Sequence, residues 1–154
     1  MEAPEQIDPR GLADYLDVMS RAVFQSGMSW QVVNAKWPGT HEAFRGFDPE
    51  SVANLSPDEI DELARDGRLI RNRRKIEGVV QNARRMLDLE RQHGSFKAYL
   101  ASHGGFEETA ADLVRRFKFL GDFGAYYFLY VVREPVPDYH AWCASRGRSV
   151  PAAV

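Results

Sequence analysis

The sequence predicts an all-α domain, and three observations support this prediction. Alternation of apolar and polar residues, which marks half-buried strands, never extends far along the chain. Apolar residues recur instead at helical spacing, which places them on one face of a helix. Residues that typically begin and end helices bracket several of these segments. With 154 residues, of which 44% are apolar, the chain has the size and composition of a single globular domain spanning residues 1–154.

Two helices are predicted in the middle of the chain. The segment Ser56–Glu59 combines an N-cap serine, a proline at the first helical position and a glutamate placed for a capping box. It predicts a short helix from about Pro57 to Arg65. A second helix is predicted from Lys75, and Gly94 ends it. The apolar face of this second helix consists of Ile76, Val79, Val80, Ala83, Met86 and Leu87.

A helical hairpin is predicted over about residues 106–133. The segment 106–117 is helical in pattern, and a turn with Gly121 and Gly124 leads from it into the apolar segment 125–132. Because glycine has no Cβ, the backbone of this turn can approach another molecule closely. Backbone amides at the start of the second helix favour an anion such as a phosphate. An ordinary turn between two helices is the alternative interpretation.

The last part of the chain is predicted to hold an extended segment and one short helix. Pro135 and Pro137 favour extended backbone, and the short helix follows through Trp142 and Cys143. Residues 147–154 are predicted to be a flexible tail, because chain ends that nothing anchors commonly fray. No linker divides the chain into separate domains.

Charge is balanced overall but uneven along the chain. The sequence has 20 lysines and arginines against 22 aspartates and glutamates, which excludes a protein that coats polyanions over its whole surface. A local basic patch remains open, since residues 65–75 carry a run of basic residues with Asp66 as the single acidic one. This run is either a solvated face or an edge that faces phosphates. Its basic members are Arg65, Arg68, Arg71, Arg73, Arg74 and Lys75.

Several classes of protein are excluded by simple features. The longest strongly apolar run, Ala125–Val132, is far shorter than the roughly 20 residues of a membrane span. The N-terminus lacks the basic start and apolar core of a secretory signal, so we expect a cytoplasmic protein without a membrane partner. Cys143 is the one cysteine of the sequence, which excludes an internal disulfide and a multi-cysteine zinc site.

One motif gives the sequence a family resemblance. The segment Gln25–Trp30, Gln-Ser-Gly-Met-Ser-Trp, resembles the Gln-Ala-Gly-Leu-Ser-Trp signature of DNA-3-methyladenine glycosylase I, a family of bacterial helix-hairpin-helix base-excision enzymes. Further blocks resemble the family in the same order and at similar spacing, so the resemblance spans roughly residues 16–143. It implies a helix-hairpin-helix glycosylase fold and hydrolysis of the N-glycosidic bond of an extruded alkylated purine such as 3-methyladenine. The further blocks are residues 44–49, 69–76, 82–83, 94–96 and 117–121.

The resemblance also implies roles for particular residues. Trp30 is expected to stack on the extruded base, because an indole over a cationic ring gains about 0.5–2 kcal/mol. From its own segment alone, a core tryptophan is the alternative. Gln25 is expected to line the same base pocket. Tyr127, on a helix with Tyr126 and Tyr130, is also expected there, and a place in the core or an interface is its alternative. The implied partner is double-stranded DNA with an alkylated base, bound by a monomer that is associated with the nucleoid. Contacts to this DNA are expected from Lys118, Gly121, Gly124, Arg71, Arg74 and Lys75.

The sequence departs from the family pattern at several positions. Ala22 stands where family members usually have a glutamate that hydrogen-bonds the base, and the family's N-terminal block with its tyrosines is missing. Of the family's zinc ligands the chain keeps at most His140 and Cys143, which do not suffice for a structural zinc site. We therefore predict no metal and no other cofactor. Asp122 replaces an uncharged residue in the hairpin turn, and we interpret it as a cap of the following helix.

One residue is a candidate catalytic carboxylate. Asp138, in Asp138–His140, is similar to the aspartate of the wider helix-hairpin-helix superfamily that stabilises the oxocarbenium-like sugar. A structural role or a helix cap is an equal alternative.

Three functions follow from these observations. The first is a monofunctional glycosylase acting on a cationic N-alkylated purine. The second is a DNA-binding relative that has lost or retargeted this activity, which Ala22 and the short N-terminus favour. The third is a helical protein whose partner is not DNA, and an absence of salt-sensitive duplex binding would indicate it.

Overall fold

The chain folds into α-helices joined by short connections, as predicted. A computed structural model describes residues 3–146, and the predicted tail at 147–154 lies outside them. The described part of the chain contains nine α-helices, one 3-10 turn at Arg45–Phe47 and no strand. None of the helices in this part is long and apolar enough to cross a membrane. The helices are α1 (Leu12–Gln25), α2 (Trp30–Ala43), α3 (Pro49–Ala53), α4 (Pro57–Leu63), α5 (Arg73–His93), α6 (Phe96–Ala101), α7 (Phe106–Arg116), α8 (Asp122–Val131) and α9 (Tyr139–Ser145).

The core forms where α1 packs against both α5 and α8. Leu16 and Val23 of α1, Ile76 and Val79 of α5, and Phe128 of α8 are completely shielded from solvent. Burial of an aliphatic or aromatic side chain of this kind contributes about 1.5–3 kcal/mol. Helix α1 is therefore fixed on two sides, and its remaining face is available to line a site.

The helix ends show how local sequence sets the boundaries. The capping box is confirmed, because Ser56 Oγ accepts from Glu59 N at 3.1 Å and Glu59 Oε1 accepts from Ser56 N at 2.9 Å. Helix α5 begins two residues before the predicted Lys75, because Asn72 caps it by accepting from the amide of that residue. Gly94 ends α5 with a φ of 87°, a left-handed conformation that favours glycine.

The turn between α7 and α8 is locked onto α5. The side-chain amide of Asn82 donates to the carbonyl of Lys118 at 3.2 Å, and its oxygen accepts from the amide of that residue at 2.8 Å. One turn earlier on α5, Gly78 leaves room for the ring of Phe119, since a Cβ there would lie 2.9 Å from the ring. Both contacts fix residues 117–121 at one height along α5, next to the C-terminal end of α1.

Candidate functional site

Trp30 lies at the start of α2, and its side chain packs against α8. It is the first residue of α2, directly after the N-cap Ser29. Its ring meets the rings of Tyr127 and Phe123 edge-on, with centroids 5.4 and 5.7 Å away. Only part of the indole is covered by these contacts, and the side chain remains half-buried. Trp30 therefore packs against the hydrophobic core without being fully buried, and it also lines open space.

Two cavities meet at Trp30. The larger one, of about 650 Å³, runs along α1, and we name it the α1 cleft. The smaller one, of about 370 Å³, lies beside the turn before α8, and we name it the hairpin cleft. Gln25, Trp30 and Tyr127 line both, so the three residues predicted for one base pocket form the wall between two clefts. The α1 cleft is also lined by Ala3, Pro4, Glu5, Ile7, Asp14, Asp17, Val18, Arg21, Asn34 and Val131. The hairpin cleft is also lined by Ala22, Ser26, Gly27, Phe119, Gly121, Asp122, Phe123 and Gly124.

The α1 cleft contains polar side chains that the sequence analysis missed. Asp17 Oδ1 accepts from Trp37 Nε1 at 2.8 Å, and Asp17 Oδ2 lies 2.9 Å from His41 Nδ1. Arg21 donates to Asn34 Oδ1 at 3.3 Å, and its guanidinium lies 5.1 Å from the centroid of the Trp37 ring. A sequence signal for this face exists, because Asp14, Asp17, Val18, Arg21 and Gln25 follow one another at helical spacing up to the Gln25–Trp30 motif.

Tyr127 and Gln25 form the buried part of the shared wall. Each has only 6% of its surface exposed. Burial raises the pKa of the Tyr127 hydroxyl, although Arg21 and Gln25 act in the opposite direction. The hydroxyl therefore remains protonated at neutral pH and keeps its ability to donate a hydrogen bond.

The N-terminal segment supplies one side of the α1 cleft. Residues 3–7 cross the end of α8, where Ile7 N donates to Val131 O at 2.8 Å and the Gln6 side chain donates to Tyr130 O at 2.8 Å. Ala3, Pro4, Glu5 and Ile7 thereby face the cavity. These few residues thus close one side of the α1 cleft.

The hairpin cleft is small and has Asp122 as the one charged side chain on its walls. Ala22 is 4% exposed, and a Cβ placed on Gly124 would come within 3.8 Å of the Ala22 Cβ. Gly121, not Asp122, is the N-cap residue of α8, so the predicted capping role of Asp122 is wrong. Asp122 lies in the first helical turn, where a carboxylate favours the helix dipole, and its Oδ2 is 3.6 Å from a guanidinium nitrogen of Arg146.

A basic groove of about 530 Å³ lies next to the hairpin turn. Four basic residues line it, and its walls contain no acidic residue. Two of them, Arg115 and Arg116, are anchored from below by the buried Asp112. The predicted DNA-binding residues Lys118 and Gly121 belong to this groove, whereas Arg115 and Arg116 were not predicted. The basic residues of the groove are Arg85, Arg115, Arg116 and Lys118.

The basic run at residues 65–75 is divided by the fold. Arg71 is exposed, and the exposed Arg74 reaches the hairpin, with its guanidinium 5.9 Å from the centroid of the Phe119 ring. Arg73 is engaged by Asp61 and by Glu77, the latter at 2.8 Å. Arg74 is thus the member of this run that lies beside the hairpin cleft.

The prediction that Lys75 binds DNA needs correction. Its side chain is 6% exposed, and its Nζ donates to the carbonyls of Phe24, at 3.2 Å, and of Ser26. These carbonyls end α1, where the helix dipole is negative, so the ammonium closes that helix from inside the protein. Burial lowers the pKa of Lys75. The residue positions the turn that leads to Trp30 and does not face a phosphate.

Asp138 and the residual zinc ligands lie outside both clefts. Asp138 is the N-cap of α9 and accepts from Ala141 N at 3.0 Å, which is the capping alternative of the sequence analysis. It is absent from the walls of the α1 cleft and the hairpin cleft. In residues 3–146, His140 and Cys143 belong to no group of three or more His, Cys, Asp or Glu side chains that suits a metal ion.

Comparison with solved structures identifies the class of this fold. The chain is similar to 3-methyladenine DNA glycosylase I from Staphylococcus aureus, with a TM-score of 0.72 and 25% identity over 84% of this chain and 80% of that one. The helical fold and the clefts around Trp30 therefore define a protein of the helical DNA glycosylase class. A family model described as methyladenine glycosylase matches residues 12–118. The chain belongs to the methyladenine glycosylase family.

Curated relatives match a shorter segment. A DNA-3-methyladenine glycosylase from Haemophilus influenzae is 36% identical over 78 residues, and DNA-3-methyladenine glycosylase 1 from Escherichia coli is 33% identical over 78 residues. Each match covers 51% of this chain and 42% of the relative. The chain thus matches less than half the length of these relatives.

Proposed function

We propose that this protein is a DNA base-excision glycosylase that hydrolyses the N-glycosidic bond of an extruded, cationic N-alkylated purine such as 3-methyladenine. The observation that carries the proposal is the position of Trp30, a half-buried indole on the wall of two clefts beside a helical hairpin and a basic groove. Membership of the methyladenine glycosylase family supports it.

The chemistry of the substrate suits the residues present. Alkylation places a positive charge on the purine, which weakens the glycosidic bond, so the leaving base needs little acid assistance. Recognition is then the main task, since extrusion of the nucleotide costs a few kcal/mol that the pocket must offset. Trp30 offers its ring face to the cation, and Gln25 and Tyr127 offer polar atoms from the same wall. This reaction requires no cofactor.

The basic groove and the hairpin are proposed to hold double-stranded DNA. Arg85, Arg115, Arg116 and Lys118 lie on the hairpin side of Trp30, where the strand next to an extruded base would run. The exposed Gly121 at the start of α8 brings backbone amides to the same surface. We propose that one copy of the chain binds the duplex, in the cytoplasm, with strongly salt-dependent affinity.

A second function is favoured by the composition of the hairpin cleft. Ala22 provides no hydrogen-bonding group, and the one carboxylate in that cleft is Asp122. A DNA-binding relative that recognises extruded nucleotides without releasing the base is consistent with this cleft.

The test is release of free base from duplex DNA treated with a methylating agent, with the released purines identified by mass. We expect 3-methyladenine from the wild-type protein and a loss of about 100-fold in Trp30→Ala, or roughly 2.7 kcal/mol of transition-state stabilisation. Val32→Ala is the matched control, because Val32 lies on the same helix and is 44% exposed. Asp138→Asn tests the catalytic carboxylate, and we expect release within threefold of wild type.

Each other outcome selects an alternative. No release with salt-sensitive duplex binding would favour the second function. Neither release nor salt-sensitive binding would indicate a partner other than DNA. If Asp138→Asn reduces base release as much as Trp30→Ala does, Asp138 takes part in catalysis.

A further inference from the structure

The two clefts differ sharply in charge. Three carboxylates line the α1 cleft, from Glu5, Asp14 and Asp17, against the one guanidinium of Arg21. Asp122 is the single charged residue on the walls of the hairpin cleft. A cationic base is stabilised by nearby negative charge, and the effect is strong where water is partly excluded. The α1 cleft therefore has the charge that the proposed substrate requires.

Asp17 is the carboxylate of this cleft that is fixed in place. Both of its oxygens are engaged from α2, by Trp37 Nε1 at 2.8 Å and His41 Nδ1 at 2.9 Å, and 26% of its side chain remains exposed. Asp14 instead accepts from the backbone amide of Arg10 at the first turn of α1. Glu5 lies exposed on the N-terminal segment. A carboxylate whose two oxygens are both held by neighbouring side chains loses little conformational entropy when a ligand binds.

The neighbouring arginine does not neutralise Asp17 directly. Arg21 donates to Asn34 and lies over the ring of Trp37. Among residues 3–146, no lysine or arginine nitrogen lies within 4 Å of the Asp17 carboxylate, and its neighbour at that distance is the imidazole of His41. Each carboxylate oxygen has a second lone pair, so Asp17 can still accept from a ligand.

The charge of Asp17 affects Tyr127, a residue of the wall that both clefts share. Burial is the main reason that the pKa of Tyr127 is raised, and the charge of Asp17 contributes in the same direction. Asp17 and Tyr127 also line the same α1 cleft. Gln25 lies two helical turns beyond Asp17 on the same face of α1, next to Trp30.

We propose that Asp17 is a specificity-determining residue, whose carboxylate selects a positively charged purine from the α1 side and supplies the negative charge that Ala22 does not. This inference rests on the proposed function, because it places the base against Trp30. It assigns the discrimination between charged and neutral purines to helix α1.

A binding experiment without DNA tests the proposal directly. The probes are 3,9-dimethyladeninium, which is permanently cationic, and uncharged 9-methyladenine, titrated calorimetrically into the full chain. We expect the wild-type protein to bind the cation at least tenfold more tightly, and Asp17→Asn to reduce this preference below threefold through weaker cation binding. Asp88→Asn is the matched control, because Asp88 is an exposed aspartate paired with Arg91, away from both clefts.

Two further readouts separate a charge effect from a folding effect. Asp17→Asn retains an oxygen for Trp37, so its affinity for 9-methyladenine should stay within threefold of wild type. Asp17→Glu keeps the charge and should retain at least half of the cation preference. Equal loss of both ligands in Asp17→Asn, or an unchanged preference, would overturn the proposal, as would a wild-type protein that binds neither probe.

Base release from methylated DNA, measured on the same variants, distinguishes the two proposals. In one outcome, the wild-type protein releases the base but its preference for the cation does not depend on Asp17. This outcome would overturn the role of Asp17 and leave the glycosylase function standing. An Asp17-dependent cation preference without release by the wild type would support Asp17 and overturn the glycosylase function.

Discussion

The two clefts on either side of Trp30 are built in different ways. The α1 cleft is held by side chains that cross between α1 and α2, such as Asp17 with Trp37 and Arg21 with Asn34. On the hairpin side, α5 instead holds the backbone of the turn, through Asn82 and Gly78. On the α1 side of the indole, charged side chains line the cleft. On the hairpin side, the backbone of the turn is held where it can come close to a ligand. Disruption of each side should therefore affect different measurements.

The largest expected effect on stability concerns the support of the basic groove. Burial alone would raise the pKa of Asp112, but donors from Tyr99, His103 and Arg116 hold it well below its usual range. Asp112→Asn should lower the free energy of unfolding by about 3 kcal/mol at pH 7, because it leaves buried donors poorly matched. Chemical denaturation measures this change, and duplex affinity should fall while binding of small purines in the α1 cleft persists.

The same residue gives a pH dependence with a defined sign. A carboxyl group whose pKa is lowered by folding contributes stability above its ordinary pKa of about 3.9, and the contribution is lost as pH falls through the folded value. The stability advantage of the wild type over Asp112→Asn should therefore shrink below about pH 4. An advantage that stays constant from pH 7 to pH 2.5 would contradict this assignment.

A second substitution tests the lock on the hairpin turn. Asn82→Ala leaves the amide and the carbonyl of Lys118 without their partner, so we expect a loss of about 2 kcal/mol in the free energy of unfolding. Duplex affinity should fall by more than the affinity for a free cationic purine. Equal losses of both affinities would mean that Asn82 supports both clefts and not the hairpin side alone. Gln81→Ala, at an exposed neighbouring position, is the control.

Two lysines sharpen the distinction between structural and DNA-facing charge. Lys75→Met should lower the free energy of unfolding by about 1–2 kcal/mol, since the terminal carbonyls of α1 lose a charged donor. Lys118→Ala should leave stability unchanged and reduce the salt slope of duplex binding by about 1. The measurements are denaturation and duplex affinity at several salt concentrations. A reduced salt slope in Lys75→Met would restore its predicted role as a phosphate contact.

A smaller effect is expected from the shared wall. Tyr127→Phe removes one buried hydroxyl and keeps the ring against Trp30, so base release should fall about tenfold, or roughly 1.4 kcal/mol. Single-turnover kinetics on methylated duplex measure the change. If release is unaffected, the hydroxyl has no part in recognition and the wall acts through its rings alone.

The smallest expected effect is that of a metal chelator. The departure of a cationic base needs no metal, and we predict that EDTA changes neither base release nor the thermal unfolding temperature. A drop in either quantity that added zinc reverses would contradict the prediction that this chain works without a metal.

Much of the fold followed from local sequence. Ser56 and Glu59 marked the start of α4, and Gly94 marked the end of α5, because caps and left-handed glycines act within a few residues. The Gln25–Trp30 motif supplied two of the three residues that line the shared wall, and Tyr127 is the third. These features depend on neighbours in sequence or on several motifs in register.

The errors arose where the environment of a side chain decides its role. Lys75 belongs to a run of basic residues, but its ammonium is enclosed by the end of α1, which is distant in sequence. Asp122 was interpreted as a cap, but the helix begins one residue earlier, at Gly121. A charge pattern alone does not reveal which members of a run are buried.

The sequence by itself determined the helical class, the helix ends and the family, since periodicity, capping and motif order are local properties of the chain. Only the tertiary structure decided that Trp30 separates a cleft with several charged side chains from a cleft with one carboxylate, and that Asp17 and Arg21 face the same cavity as Trp30. The reason is physical. Clefts arise between elements that are far apart in sequence, here α1, α2, α8 and the N-terminal segment, and their charge depends on how those elements pack.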